Sequence, residues 1–174
     1  MMKAECYSVW LMPDAAWGRE FQAIVDDLAS RFSTPRFRPH LTLIGGQPFD
    51  REDLKRRLAP AVTGAAPLSR PILDVITGEA VFRSFYALFG VEGGLGDLRR
   101  QVNVAVPGSD PGQFMPHVSL LYGAVAPKPK AAAAAEIRAA LAGRTVTFDR
   151  VEIVRSGDNV PIEDWETVAA FELR

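Results

Sequence analysis

The chain is poor in histidine, cysteine and net charge, and each scarcity removes a class of function. There are two histidines, one cysteine and a formal net charge of −1 in 174 residues. A lone cysteine excludes an intramolecular disulfide, and Cys6 reads as a small buried residue of a reducing compartment. A balanced charge argues against a broad electrostatic footprint for nucleic acid or a membrane surface. No apolar run reaches the roughly 18 residues of a membrane span, and the first residues lack the basic start and apolar stretch of a secretory leader. There is no His-x-His, His-Glu-x-x-His or cysteine pair to suggest a metal. There is no Gly-x-x-x-x-Gly-Lys loop to cradle a nucleoside triphosphate. We therefore expect a cytoplasmic monomer with no metal, no cofactor, no membrane association and no stable nucleic-acid partner. With 48% hydrophobic and 24% charged residues, the chain can bury a real core. Residues 1–174 are expected to form one domain of two intimately packed lobes.

Both histidines occur in the same short phrase. One is Pro39-His40-Leu41-Thr42-Leu43, the other Pro116-His117-Val118-Ser119-Leu120. In a strand, residues two apart share a face. His40 and Thr42 then point one way, as do His117 and Ser119, while Leu41, Leu43, Val118 and Leu120 face a core. Each strand offers an imidazole that titrates near neutrality beside a hydroxyl that can donate to a phosphoryl oxygen. Two such strands could hold one phosphate from both sides.

The rest of the chain supplies a frame. Glu5 to Leu11 alternates as a strand, with Tyr7, Val9 and Leu11 on one face and Cys6, Ser8 and Trp10 on the other. Pro13-Asp14 opens a helix with Trp17, Phe21, Ile24, Val25, Leu28 and Phe32 at helical spacing, broken by Ser33-Thr34-Pro35. Gly45-Gly46 is expected to end the first histidine strand, and Asp50 to cap a helix running to about Leu58. Pro60 to Pro71 reads as an irregular link. Ile72 to Phe82 reads as a strand turning near Gly78, and Ser84 to Gly90 as another. A helix follows Gly93-Gly94, a loop spans Pro107 to Gly112, and the second histidine strand ends at Gly123. A helix starting at Ala131 and two antiparallel strands, Thr145–Val154 and Thr167–Leu173, complete the chain. Strand, helix and histidine strand recur at matching intervals, which suggests two diverged halves about a pseudo-twofold axis.

These motifs resemble the 2H phosphoesterases, a superfamily with paired His-x-Thr/Ser motifs, and within it the plant-type cyclic phosphodiesterases. The resemblance runs through Tyr7-Ser8-Val9-Trp10, Pro35-Arg36-Phe37-Arg38-Pro39-His40, Pro116 to Tyr122, and Asp164-Trp165-Glu166-Thr167-Val168. It implies an α+β fold of two pseudo-symmetric lobes of antiparallel strands, helices outside and a water-filled cleft between. It also places Trp10, Phe82 and Tyr122 near that cleft as substrate-binding residues. Tyr122 conflicts with simple pleating, because 117, 119 and 121 are the set that shares a face. Trp165 reads as core or rim. RNA-processing branches carry an Arg or Lys shortly after the first motif, where this chain has Ile44-Gly45-Gly46, which favours a small cyclic phosphate.

The expected chemistry follows. His40 and His117 would be the general acid and base, with a slight lean to His117 activating water, and Thr42 and Ser119 would hold the non-bridging oxygens. The substrates would be 2′,3′-cyclic nucleotides, opened to 2′-phosphates, or ADP-ribose 1″,2″-cyclic phosphate. The alternatives are an RNA-end-processing phosphodiesterase and a module that binds a nucleotide phosphate without turning it over.

Overall fold

The computed structural model describes residues 5–109 and 112–174. Eight antiparallel strands build an open sheet: β1 (Cys6–Pro13), β2 (Leu41–Pro48), β3 (Leu68–Pro71), β4 (Asp74–Thr77), β5 (Phe85–Leu88), β6 (His117–Leu121), β7 (Thr145–Arg155) and β8 (Glu166–Glu172). Their order is β3-β7-β1-β2-β6-β5-β4, and β8 also pairs with β7. β3 takes the first part of the free edge of β7 and β8 the remainder. Among the described residues, four α-helices accompany the sheet: α1 (Ala15–Phe32), α2 (Arg51–Val62), α3 (Leu95–Ala105) and α4 (Pro127–Leu141). The α+β architecture of antiparallel strands with outer helices is the one expected.

Local chemistry sets the helix ends. Asp14 accepts a hydrogen bond from the Trp17 amide at 2.9 Å and starts α1. Its stripe Phe21, Val25 and Leu28 is buried, and Ser33, at φ 55°, stops it. Asp50 caps α2 through the Asp53 amide at 2.8 Å. α2 runs past the expected stop near Leu58 to Val62, carrying Pro60 in its last turn, because Leu58 and Val62 are one helical turn apart and both buried. α4 begins four residues before the expected Ala131, with Pro127 in the first turn, where its missing N–H is no loss.

Three strand expectations need correction. β2 continues through Gly45-Gly46 to Pro48. Gly46 is there for close approach, not for a turn: a Cβ would lie 2.5 Å from the Gly157 Cα and 2.7 Å from the Ser156 carbonyl oxygen. The supposed link Pro60–Pro71 holds the edge strand β3, too short and too polar to alternate visibly. The supposed strand Ile72–Phe82 is ordered as a strand only over Asp74–Thr77, after which the chain turns into a 3₁₀ turn, Val81–Arg83. Within the expected loop Pro107–Gly112, residues 110 and 111 lie outside the described residues.

The two halves meet where β2 pairs with β6, in register at Leu41 and Val118. Their helices are exchanged: α1 packs on β6 as well as β1, and α3 reaches β2. The core lies on the helix side of the sheet, where Tyr7, Val9, Leu11, Leu41, Leu43, Val118 and Leu120 are buried. The alternate residues of the same strands point to the other side. No helix among the described residues is long and apolar enough to cross a membrane.

Candidate active site

On the side away from the core lies a cavity of about 380 Å3. Its wall includes Trp10, His40, Thr42, Phe82, His117, Ser119 and Tyr122, so the structure brings all seven sequence-selected residues together. Ser8, Arg83, Trp165 and the segment Ser156–Asp158 complete it. A larger opening, about 840 Å3, lies between α2 and α3 and contains neither histidine.

The floor is set by strand register. Leu41 faces Val118 across the β2–β6 pair. Carried one residue either way, an antiparallel pair puts His40 across from Ser119 and Thr42 across from His117. The four side chains form a square, with imidazoles on one diagonal and hydroxyls on the other. Diagonal Cβ atoms in such a pair are roughly 7 Å apart, a gap that one phosphoryl group can bridge.

Both imidazoles are held the same way. His40 Nδ1 lies 2.7 Å from the Arg38 carbonyl oxygen, and His117 Nδ1 lies 2.8 Å from that of Met115. A carbonyl only accepts, so each ring carries its proton on Nδ1, which leaves Nε2 unprotonated and able to accept a proton. Each ring also has an aromatic neighbour from the adjoining strand. Trp10, opposite Thr42 in register, stacks on His40 with centroids 3.5 Å apart. Tyr86, opposite Ser119, meets His117 edge-on at 5.3 Å. The internal repeat thus extends from backbone order to the surroundings of each histidine.

The electrostatics are less symmetric. His40 is 6% exposed. Burial pushes its pKa down to about 3, aided by the Arg38 and His117 charges and opposed by the Arg38 carbonyl. His117 is more open and is also lowered, first by burial and then by the Arg83 charge, against its bond to Met115. Both shifts favour the neutral imidazole.

The remaining residues divide by role. The Ser119 hydroxyl donates to the Phe82 carbonyl at 2.9 Å. That bond ties β6 to the 3₁₀ turn, as does the bond from the Gly123 amide to the Val81 carbonyl, 2.9 Å. Tyr122 reaches the cavity because β6 ends at Leu121, which releases it from the pleat. It stacks on Phe37 at 3.7 Å, and burial raises its phenol pKa, partly offset by a hydrogen bond with Ser119. Phe82 stays 41% exposed at the rim. Trp165 belongs to the wall, edge-on to Trp10 at 5.6 Å, to Tyr122 at 6.0 Å and to His40 at 6.2 Å. Its indole N–H donates to the Val160 carbonyl at 3.0 Å. Sequence reasoning missed Arg83 and Tyr86; the even-numbered parity of β5 was the available signal for Tyr86. Among the described residues, no three His, Cys, Asp or Glu side chains are grouped to hold a metal ion.

The model of the 2′-5′ RNA ligase superfamily matches residues 12–159, a stretch that contains both histidine phrases. The chain belongs to this superfamily, that of the 2H phosphoesterases. It is 26% identical over 176 residues to a cyclic phosphodiesterase of Arabidopsis thaliana, covering 99% of this chain and 97% of that one. Among solved structures, the fold matches TT0787 of Thermus thermophilus with a TM-score of 0.63 at 17% identity, covering 97% of this chain and 98% of the other. It matches E. coli LigT complexed with 3′-AMP with a TM-score of 0.61 at 13% identity, covering 98% and 99%. At those identities the likeness is one of fold. The stretch matched to the superfamily ends at residue 159, and Trp165, which lies beyond it, is placed in the wall by the geometry.

Proposed function

We propose that the protein is a cyclic phosphodiesterase that hydrolyses small cyclic phosphodiesters by two-histidine acid–base catalysis, without a metal. Its substrates are 2′,3′-cyclic nucleotides, opened to 2′-phosphates, or ADP-ribose 1″,2″-cyclic phosphate. The observation that carries this reading is the pair of imidazoles on one diagonal of the cavity floor, each with Nδ1 committed to a carbonyl and Nε2 left to act. The Arabidopsis relative's name supports the reaction class.

The strained phosphodiester ring would sit between the histidines. One Nε2 takes a proton from a water in line with the leaving oxygen, while the other, as imidazolium, protonates that ribose oxygen. Each transfer is typically worth about 10²–10⁴ in rate. Thr42 and Ser119, on the other diagonal, donate to the non-bridging oxygens as charge builds there. Ser119 must release the Phe82 carbonyl to do so, which links phosphate capture to the 3₁₀ turn. With both imidazole pKa values lowered, one ring must gain a proton before it can act as the acid. A phosphoryl anion raises both pKa values by its charge, so the acid takes that proton from solvent as the substrate binds.

The cavity suits a ligand of mononucleotide size, and Phe82 and Trp165 offer aromatic surface for a base or ribose, with the buried Trp10 and Tyr122 behind them. The test is turnover of 2′,3′-cyclic nucleotides in excess EDTA, with product regiochemistry read by phosphorus NMR. Metal-independent formation of the 2′-phosphate is expected. Saturable binding with no turnover would mean a binding module, and turnover confined to RNA ending in a cyclic phosphate would mean an end-processing enzyme.

A further inference from the structure

Glu152 is a carboxylate only 4% exposed, on the cavity side of β7 and in register with Trp10. An isolated charge at such a site costs several kcal/mol, and an apolar residue would serve the strand as well. The equivalent position in the other half bears this out: across from Tyr86 stands Ile76. Glu152 is instead fully engaged. Arg38 grips it through both terminal nitrogens, at 3.1 and 2.5 Å, and Arg150 Nε adds a third bond at 3.0 Å. Burial alone would raise the Glu152 pKa, but the hydrogen bonds and charges of Arg38 and Arg150 bring it below its ordinary value. The carboxylate is ionised.

Arg38 touches His40 by two routes. Its carbonyl holds Nδ1 at 2.7 Å. Its guanidinium, also bonded to the Thr167 hydroxyl at 2.6 Å, lies over the Trp10 ring at 5.7 Å from the centroid, and that ring stacks on His40. The other half has no such anchor, since the carbonyl that holds His117 belongs to Met115.

We infer that Arg38 and Glu152 are positioning residues for His40, an ion pair that fixes the backbone carbonyl and indole setting that ring's tautomer and tilt, and that this makes the two histidines of a nearly symmetric site inequivalent. The kinetic part rests on the hydrolytic reading above; the structural part does not.

With two histidines in the chain, ring ¹⁵N spectra of histidine-labelled protein resolve each one. In the wild type both are expected as the Nδ1–H tautomer. Glu152→Gln, which keeps the shape but removes the charge and one of the oxygens that Arg38 grips, should give His40 a measurable share of the Nε2–H tautomer and leave His117 unchanged. Arg38→Met leaves Glu152 paired with Arg150 and should give the same His40-only signature. On a 2′,3′-cyclic nucleotide, both should lower kcat by roughly tenfold or more, on the order of what is lost when a group that orients a functional histidine is removed, with KM within about twofold. Unchanged His40 resonances in both variants overturn the inference, as do equal changes at His40 and His117 or an altered His40 with full kcat. A wild type without phosphodiesterase activity defeats the functional proposal while the spectra still decide the positioning claim.

Discussion

Trp10 lies flat against His40, with ring planes 7° apart and centroids 3.5 Å apart. The indole is 2% exposed, so it shields the imidazole from water and is itself shielded. Trp10→Ala should cost about 3–5 kcal/mol of stability as a large-to-small core change. In the folded fraction it should let the His40 pKa rise toward its ordinary value, because burial is the leading cause of the depression. Urea unfolding and an NMR titration of the two histidines check both parts.

Burial of neutral His40 also makes folding pH-dependent. The folded pKa, about 3, lies below the ordinary 6.5. Between those values the unfolded chain binds the extra proton, so the contribution is complete above about 6.5 and is lost as pH falls. At pH 5 the loss from this residue is about 2 kcal/mol, from 1.4 kcal/mol per pH unit. His40→Gln should therefore show a shallower decline of the urea midpoint between pH 7 and 5 than the wild type. Parallel declines would mean that His40 is not held neutral.

For catalysis, His40→Ala or His117→Ala should each lower kcat at least about a hundredfold. The wild-type pH–rate profile should be bell-shaped near neutrality, since one ring must be neutral and the other charged in the complex. A profile flat from about pH 5 to 9, or a fully active variant, would count against the paired mechanism.

The two hydroxyls should separate in a way their matching motifs hide. Thr42→Val and Ser119→Ala should each reduce kcat by about 10²-fold, the scale for one donor at a developing anion. Only Ser119→Ala also frees the Phe82 carbonyl. Hydrogen exchange should therefore accelerate around the Val81–Arg83 turn in that variant and not in Thr42→Val.

Gly45 and Gly46 make an internal control. A Cβ on Gly46 would collide with backbone of Ser156 and Gly157, whereas a Cβ on Gly45 meets nothing within 4 Å. Gly46→Ala should lower stability by about 1–3 kcal/mol or more, as overpacking against rigid backbone does. Gly45→Ala should stay within about 0.5 kcal/mol of wild type. Thermal melts of the two variants decide the point.

Much of this arrangement is legible in the chain because period and parity are local. Alternation put His40 with Thr42 and His117 with Ser119, and the stripe from Phe21 to Leu28 marked a buried helix face. Tyr122 looked misplaced because parity holds only while a strand lasts, and β6 stops one residue short of it. Gly45-Gly46 misled because a glycine pair that permits backbone crossing looks the same as one that permits a turn. Arg38 and Glu152 are 114 residues apart, and in a chain with many charged surface residues nothing marks those two as partners. Trp165 reaches the wall from just ahead of β8, and Tyr86 reaches His117 across the β5–β6 pair, neighbours that only the folded sheet defines.

Because β2 and β6 are adjacent rails of one ladder, the gap between the imidazoles is fixed by backbone pairing and not by a hinge between halves. Widening it would break the Leu41–Val118 pairing that joins the halves. On the proposed reaction, discrimination among substrates falls to the mouth of the cavity, where Phe82, Arg83 and Trp165 stand on short connecting segments. New specificities can be built by rewriting that mouth while the reacting floor stays untouched.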